Sequence, residues 1–437
     1  MVRSGSPTWG RPAPQVGVLV ASPDRHAGQP FSRADTVGNG PWTTRHGAAV
    51  GAERTVSAMS GSVAERERNT AAGGTDLFTV GVEEEFLLVD PHTGAAVPAV
   101  DLVMDQVPAE LRGQVQREFQ TSQIEIGSPP GLELSSIRHS LGVLRAALAD
   151  AAERAGVRVL AIGTGPVDGP VPPVVDKPRF DRMIERFRLL VPGPGNNGMH
   201  VHVGIPDPDT GVQVLNHVRP WLPILHAVTT NSPFAKGEDT GYASWRSVEW
   251  ERWPSVAPSP FLASHEHYQR LIRQLIASGV MLDEGMLYWY ARLSAKYPTV
   301  EIRIGDVCPS VDDAVLVAAL VRALVATAMT DIAAGRAALR TDHHLLVAAH
   351  WRAAHDGLEG EGVDLTDGEL RPTWELLEKL VDRVRPDLAR HGDLDQVTDL
   401  LGGLRRHGSG AARQRAVFAR TGRMVDVVED LARQTRG

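Results

Sequence analysis

The sequence predicts an α+β protein whose antiparallel sheet carries helices on one face and a functional site on the other. Two observations lead to this fold class. Four segments alternate apolar with polar residues at the period of a half-buried strand, and the polar positions hold Glu, His, Gln and Arg. The chain from Ser310 onward has a helical pattern almost throughout. A merely solvated sheet face would favour Lys and Thr, so we predict that the polar face is functional.

The composition is that of a globular protein with a large core. The chain has 437 residues, of which 42% are hydrophobic and 22% are charged, and its formal net charge is −8. This charge argues against a general nucleic-acid binder. The single cysteine, Cys308, excludes an intramolecular disulfide and a cysteine metal cluster, which fits a cytoplasmic protein. We interpret Cys308 as a packed thiol and not as a nucleophile.

The chain is predicted to consist of a disordered tail and one folded domain. Residues 1–75 are rich in Gly, Ser, Pro, Ala and Arg without a strand or helix period, so we predict that they are disordered and that residues 76–437 fold. Met59 is an alternative start that would remove most of the tail. The N-terminus lacks a basic region followed by an uninterrupted apolar core, so no secretory signal is expected.

The longest apolar run, residues 311–329, is predicted to be a buried helix. It contains Asp312, Asp313 and Arg322, which a membrane span would exclude. Ser310 and Asp313 give its start the pattern of a capping box.

The first polar-faced strand, residues 79–89, carries three consecutive glutamates. Alternation places Glu83 and Glu85 on one face, roughly 6.5–7 Å apart, where both can reach one divalent cation. Glu84 falls on the apolar face and therefore requires a buried partner. The alternative for this segment is a solvated edge strand whose charges oppose aggregation.

Three later strands repeat this alternation, at residues 120–126, 197–204 and 299–304. Their polar positions are Gln123 and Glu125, His200 and His202, and Glu301 and Arg303. Other elements are predicted at 134–148 (a helix that ends at Gly156), 157–162 (a strand), and 218–229 and 266–278 (helices), with helix breaks near Gly357, Pro386 and 402–410. The turn at 163–166 contains neither a dinucleotide fingerprint nor a P-loop.

The polar face is predicted to bind hard divalent cations. The candidate ligands are Glu83, Glu85, Glu125, His200 and Glu301, with Arg303 among them. Carboxylates suit Mg²⁺ or Mn²⁺, and Mg²⁺ completes its coordination with substrate phosphates. Four acids neutralise two such ions, so a polyphosphate such as ATP fits beside Arg303 for phosphoryl transfer. A structural ion-pair network is the alternative.

A second reading of His200 and His202 is the His-x-His of barrel-type amidohydrolases. A barrel requires eight alternating strand and helix units, whereas the C-terminal third of this chain is helical. The remaining paired histidines, at 265, 267, 343 and 344, are predicted to lie at the surface or at helix ends.

Several motifs in one order resemble the glutamate–cysteine ligase type 2 family of carboxylate–amine ligases. They lie at 81–86 (Gly-Val-Glu-Glu-Glu-Phe), 123–125 (Gln-Ile-Glu), 198–204 (Gly-Met-His-Val-His-Val-Gly), 231–234 (Asn-Ser-Pro-Phe), 240–246 (Thr-Gly-Tyr-Ala-Ser-Trp-Arg) and 299–303 (Thr-Val-Glu-Ile-Arg). The match is collinear from about residue 76 to the C-terminus.

The resemblance implies a glutamine-synthetase/guanido-kinase-like fold, in which a curved antiparallel sheet forms a funnel. It implies that ATP and Mg²⁺ support phosphorylation of the γ-carboxylate of glutamate, and that an amine such as cysteine displaces the phosphate. The partners are then small molecules, without nucleic acid or membrane, and a homo-oligomer is compatible with this. The implied metal ligands are Glu83, Glu85, Glu125, His200 and Glu301, the implied catalytic residues are Glu301 and Arg303, and the implied substrate or ATP contacts are His202, Arg246, Arg292 and Arg303.

Three positions depart from the family pattern. Gly165 stands where many members carry His, Tyr290 where Asp is frequent, and His355 where Arg is common. Loss of an arginine removes a permanent bidentate clamp for a phosphate or carboxylate. An acceptor amine other than cysteine therefore remains open, and a non-catalytic paralogue that binds nucleotide is the further alternative.

Overall fold

The computed structural model describes residues 77–191, 193 and 195–437, and its centre is a seven-stranded sheet. The predicted tail, residues 1–75, lies outside the described residues. The strands in chain order are β1 (Val80–Val89), β2 (Val115–Arg117), β3 (Gln123–Gly127), β4 (Arg158–Leu160), β5 (Met199–Gly204), β6 (Phe234–Ala235), β7 (Glu238–Asp239), β8 (Ala291–Leu293), β9 (Thr299–Ile302), β10 (Glu361–Val363) and β11 (Leu370–Pro372). The central sheet has the order β2-β3-β1-β5-β9-β8, and β4 pairs with β1. All pairings in this sheet are antiparallel, as predicted.

Helices surround this sheet and fill most of the C-terminal third. In chain order they are α1 (Val100–Gln106), α2 (Leu134–Arg154), α3 (Pro178–Phe187), α4 (Pro208–Val218), α5 (Leu222–Val228), α6 (Trp245–Trp250), α7 (His265–Ala277), α8 (Val311–Ala333), α9 (His343–Asp356), α10 (Thr373–Arg390), α11 (Leu394–His407), α12 (Gly410–Thr421) and α13 (Met424–Arg436). Short 3₁₀ turns lie at Arg112–Gln114, Arg188–Leu190, Arg219–Trp221 and Glu284–Met286.

The apolar face of the sheet packs on α2 and α8, which confirms the predicted helical layer. Val82, Ile124, Val201 and Ile302 belong to one buried cluster with both helices. Helix α8 is long and apolar enough to cross a membrane, but 83% of its most apolar window is buried inside the protein, so it is a core helix as predicted. The Ser310 hydroxyl accepts a hydrogen bond from the Asp313 amide and caps its first turn.

Glu84 finds its partner on α2. Its carboxylate accepts hydrogen bonds from Nε and Nη2 of Arg145 at 2.8 and 2.5 Å, and both side chains are 0% exposed. Arg145 also donates to the carbonyl oxygens of Cys308 and Pro309. The buried partner that the alternation of β1 requires for Glu84 is therefore Arg145, and the two form a hydrogen-bonded buried ion pair.

At one end of the sheet, the opposite face also packs against helices in an apolar core. There Leu87, Val89, Leu160 and Ile162 form a second core, chiefly with residues of α13. The sequence predicted helices on one face alone, and that expectation is wrong at this end, because Leu87 and Val89 are as apolar as Leu88 between them and both faces of the strand are buried. The rest of this face carries the predicted polar side chains.

Several local predictions differ from the structure. Pro386 lies inside α10 instead of breaking it, because Val384 and Leu388 on either side anchor that turn in the core. Helix α4 was not predicted, although Asp207 caps it through the Thr210 amide. Strands β2 and β8 have three residues each, which is too short to show an alternation. The break predicted near Gly357 leads into the β10–β11 hairpin.

Candidate active site

The pairing of neighbouring strands gathers the predicted polar residues into one band. Because the alignment of the strands puts same-face positions opposite each other, acids and imidazoles from four strands become neighbours. The directly opposed pairs are Glu85 with Glu125, Glu83 with His200, His202 with Glu301, and Arg292 with Glu301. The common centre predicted from the sequence is thus present on one face of the sheet.

The tightest group in this band is formed by Glu83, His202 and Glu301. One ligand atom from each lies within 4.8 Å of the others, which is compatible with binding one cation. Nδ1 of His202 bonds the Thr299 hydroxyl at 2.9 Å, and its Nε2 is buried without a hydrogen-bond partner, 3.6 Å from a Glu83 oxygen. The family resemblance implied that His202 contacts substrate or ATP. Its unpartnered Nε2 also suits it to bind a metal ion.

His200 lies between the two glutamates of β1. Its Nδ1 is 3.2 Å from Glu83 Oε2, and its Nε2 is 3.8 Å from Glu85 Oε1. Burial alone would raise the pKa of Glu83, but interactions with the neighbouring His200 and His202 imidazoles outweigh it and lower that pKa. Glu83 is therefore a carboxylate at neutral pH.

A second acidic group contains Glu85, Glu125 and Glu118. Burial raises the pKa of Glu125 well above its usual value, and the charges of Glu118, Glu83 and Glu85 raise it further. Burial likewise raises the pKa of Glu118 and of Glu85, although the Gly198 amide donates to Glu85 Oε2 at 2.6 Å. Carboxylates crowded in this way favour either protons or a cation.

Glu118 was not predicted from the sequence. It lies between β2 and β3, outside the alternation that identified the other acids. In the sequence, the only indication of a role for Glu118 is that it shortly precedes the polar-faced strand β3. That indication is weak without the structure.

Two arginines hold Glu301. Arg292 donates to its carboxylate through Nε at 2.9 Å and Nη2 at 3.2 Å, and Arg303 contacts the same carboxylate through Nη1. Arg303 Nη1 also lies 3.4 Å from Nδ1 of His200. Burial alone would raise the pKa of Glu301, but the Arg303 and Arg292 guanidinium groups outweigh it and lower that pKa. Both arginines thus lie in the band, where they pair with Glu301.

Arg246 reaches the band from α6. Its guanidinium is buried over the Trp250 ring, 4.8 Å from the centroid, and donates to the Ile304 carbonyl at 3.2 Å. The backbone of Gly198 passes directly beside it, since a Cβ at Gly198 would lie 2.4 Å from Arg246 Nη2. The absence of that side chain is what makes room for the arginine.

Asp306 holds the segment that carries Arg246. Its buried carboxylate accepts hydrogen bonds from the Asn231 amide at 2.9 Å and from the hydroxyls of Ser232 and Ser244 at 2.7 and 2.8 Å. Arg246 Nη1 is 3.8 Å from the same carboxylate. The aperiodic motifs at 231–234 and 240–246 are therefore ordered around one buried acid.

Two cavities flank the band. The first, of about 140 Å³, is lined at one end by Glu85, Glu118, His200, Arg246 and Arg303. The second, of about 570 Å³, is lined by Glu83, His202, Tyr297 and the prolines at 129 and 130. Acids of the band thus line both cavities.

The positions that depart from the family pattern lie apart from these cavities. Tyr290 is buried, where its hydroxyl donates to Glu251 at 2.8 Å and its ring stacks on Trp250. His355 stacks on the Trp351 ring at 4.9 Å and lines neither cavity, so its predicted effect on a substrate clamp has no direct contact to act through. Gly165 is buried and also lines neither cavity.

Cys308 and the remaining paired histidines lie where the sequence predicted. Cys308 is a buried free thiol whose pKa burial raises well above its usual value. The remaining paired histidines lie at the starts of α7 and α9. The antiparallel sheet also excludes the parallel barrel on which the amidohydrolase reading depended.

Comparison with known proteins agrees with this architecture. A family model described as Glutamate-cysteine ligase family 2 matches residues 79–430. A Salinispora tropica protein provisionally named glutamate–cysteine ligase 2 is 50% identical over 362 residues, which cover 83% of this chain and 96% of that protein. Its Salinispora arenicola counterpart, with the same provisional name, is 50% identical over 369 residues, which cover 84% of this chain and 98% of that protein.

Solved structures show the same fold at low sequence identity. The Francisella tularensis glutamate–cysteine ligase, in complex with AMP, has a TM-score of 0.59 at 14% identity and covers 83% of this chain and 89% of its own. A bifunctional glutathione synthetase from Pasteurella multocida has a TM-score of 0.60 at 16% identity and covers 82% of this chain and 52% of its own. The family predicted from the motifs is confirmed. The chain belongs to glutamate–cysteine ligase family 2, the ATP-dependent ligases that form a carbon–nitrogen bond between a carboxylate and an amine.

Proposed function

We propose that this enzyme joins the γ-carboxylate of glutamate to an amine at the expense of ATP, in the acidic band between the two cavities. The observation that carries the proposal is the convergence of acids and imidazoles from β1, β3, β5 and β9 on one sheet face. In this proposal the sheet curves into a funnel, residues 76–437 form the catalytic domain, and the enzyme is cytoplasmic.

The band has the donor set of a magnesium site. The proposed ligands are Glu83, Glu85, Glu125, His200 and Glu301, to which the geometry adds Glu118 and His202. The fit rests on the crowded carboxylates and on the buried free Nε2 of His202. Oxygen donors favour Mg²⁺, and the imidazoles also admit Mn²⁺. When bound, such ions would neutralise the carboxylates and the phosphates of ATP.

The two cavities differ in size and charge, and these differences suit two different substrates. The cavity beside Glu83 is about four times larger, and Tyr297 and the two prolines give it the flat apolar surface that suits a nucleoside. The smaller cavity has the arginine-rich lining that suits the carboxylates of glutamate. We therefore assign ATP to the larger cavity and glutamate to the smaller one.

The arginines of the band have distinct proposed roles. Arg246 lies at the glutamate cavity and binds the α-carboxylate, and Arg303, beside Glu301 and His200, stabilises charge on the transferring phosphoryl group. An oxygen of the γ-carboxylate attacks the terminal phosphorus of ATP, which gives γ-glutamyl phosphate and ADP. The amine then attacks the γ-carbonyl carbon, and phosphate leaves. Arg292 fixes Glu301.

The test is an ADP-release assay with glutamate, Mg²⁺ and a panel of amines. We expect ADP formation that requires glutamate, an amine and the metal ion together. Hydrolysis of amides without nucleotide would instead indicate an amidohydrolase. ATP binding without turnover, whichever amine is added, would indicate a non-catalytic paralogue and would overturn the proposal.

A further inference from the structure

The smaller cavity has a charged end and an aromatic wall. The wall is continuous, since the ring centroids of Phe119 and Phe180 are 4.9 Å apart, those of Phe119 and Trp253 are 6.4 Å apart, and those of Trp253 and Tyr288 are 6.0 Å apart. All four rings line the cavity together with Met183. The cavity therefore offers an aromatic surface beside its charged residues.

Most of the cations that line this cavity are already paired. The three pairs are Arg179 with Asp283, Arg252 with Glu249, and Arg303 with Glu301. In the first, Arg179 binds both carboxylate oxygens at 2.8 and 2.9 Å, and in the second the distance is 2.6 Å. Arg246 is the remaining lining arginine; its ion pair with Asp306 is the longest, at 3.8 Å, and its Nε has no hydrogen-bond partner.

The other polar groups of the lining do not replace a cation. No lysine is among the described residues that line the cavity. The side-chain amides of Gln120 and Gln123 donate to the backbone carbonyls of Gly193 and Asn196. Lys177 lies over the Phe180 ring, outside the lining, and donates to the Arg117 carbonyl. Among the described residues that line the cavity, Arg246 is thus the most weakly paired cation, and it is available to one carboxylate.

The proposed function assigns Arg246 to the α-carboxylate of glutamate, and this inference rests on that assignment. A second carboxylate, on the acceptor, would enter the cavity without a cation, next to Glu118 and Glu249, and burying an unpaired charge is costly. We infer that the acceptor is a primary amine without a carboxylate, whose apolar or aromatic substituent packs against Phe119 and Trp253. An ammonium group is attracted to such rings and to the neighbouring acids.

The reaction with such an acceptor is the ordinary ligation. The ammonium first loses one proton to become a nucleophile. Its nitrogen lone pair attacks the γ-carbonyl carbon of γ-glutamyl phosphate, the carbon–oxygen bond to phosphate breaks, and phosphate leaves with that electron pair. A second proton passes from nitrogen to solvent, which gives a neutral γ-glutamyl amide.

The test compares acceptors that differ by one carboxylate. The full-length enzyme is assayed with ATP, Mg²⁺ and glutamate, with cysteamine against cysteine and phenethylamine against phenylalanine, and the products are identified by mass. We expect kcat/KM at least tenfold higher for the amine in both pairs. An amino acid that equals or exceeds its amine in either pair overturns the inference while the proposed function stands. Absence of glutamate-dependent ADP with every acceptor, ammonia included, overturns both.

A variant locates the acceptor. Trp253→Leu should raise the KM for phenethylamine about tenfold and leave the KM for glutamate unchanged. The matched control is Trp351→Leu, because that ring is 45% exposed and lines neither cavity, and both KM values should stay at wild type. If the folded Trp253→Leu variant has an unchanged KM for phenethylamine, the acceptor does not pack against Trp253 and the inference is contradicted. If that variant does not fold, the paired acceptors on the wild-type enzyme decide the question.

Discussion

Replacement of Gly198 by alanine should disable glutamate binding while leaving the fold in place. A Cβ at this position would lie 2.4 Å from Arg246 Nη2, and ordinary contact begins at 3.4 Å, so the guanidinium must retreat by about 1 Å. It cannot do so freely, because it is buried against Trp250 and hydrogen-bonded to the Ile304 carbonyl. Misplacement of a binding group by 1 Å costs on the order of 10²-fold in rate.

The assay is steady-state ADP release with glutamate and ATP varied in turn. For Gly198→Ala we expect kcat/KM for glutamate to fall about 100-fold, the KM for ATP to change less than about threefold, and stability to fall by about 1–3 kcal/mol from overpacking. The matched control is Gly142→Ala, since a Cβ there meets nothing within 4 Å and alanine suits a helix interior. A Gly198→Ala enzyme whose kcat/KM for glutamate stays within threefold of wild type would refute the role of Arg246.

Three further outcomes are expected. Glu83→Gln and Glu301→Gln should each abolish Mg²⁺-dependent ADP formation with an unchanged circular dichroism spectrum, and wild-type activity in both would remove the metal assignment. Glu84→Ala should cost about 3–5 kcal/mol in urea unfolding, because it leaves Arg145 charged and buried, and a loss under about 1 kcal/mol would contradict this. Burial lowers the pKa of His226 from 6.5 to about 3, so between these pH values only the unfolded state is protonated there. Stability should then fall by about 1.4 kcal/mol per pH unit of acidification from this residue, and His226→Asn should have the shallower slope in pH-dependent unfolding.

The sequence predicted the sheet because each polar-faced strand combines a period of two with β-branched residues on its apolar side. This was enough to place Glu83, Glu85, Glu125 and the two histidines of β5 on one face. Such periodicity is local, and it needs about four residues to be visible. The three-residue strands β2 and β8 were therefore not predicted. The helix through Pro386 was missed for another reason, because burial of Val384 and Leu388 overrides the local effect of the proline.

What could not be predicted depends on contacts between distant segments. The ligand-like position of His202 follows from its alignment with Glu301 across nearly 100 residues of chain. The position of Arg246 depends on Gly198 and on the hydrogen bonds of Asp306, neither of which leaves a periodic signal. Glu118 reaches the acids through a loop. Side chains held by tertiary contacts in this way carry much of the site's chemistry.

The buried Glu84–Arg145 pair gives the protein a means of rejecting a misaligned β1. Because three glutamates follow one another, a slip of β1 by one position would still put an acid on the polar face, so composition alone would tolerate the error. After such a slip, however, Glu83 and Glu85 would both enter the core, where Arg145 can neutralise one of them. The arginine thus favours the correct strand alignment, in which the face proposed to bind metal points away from the core.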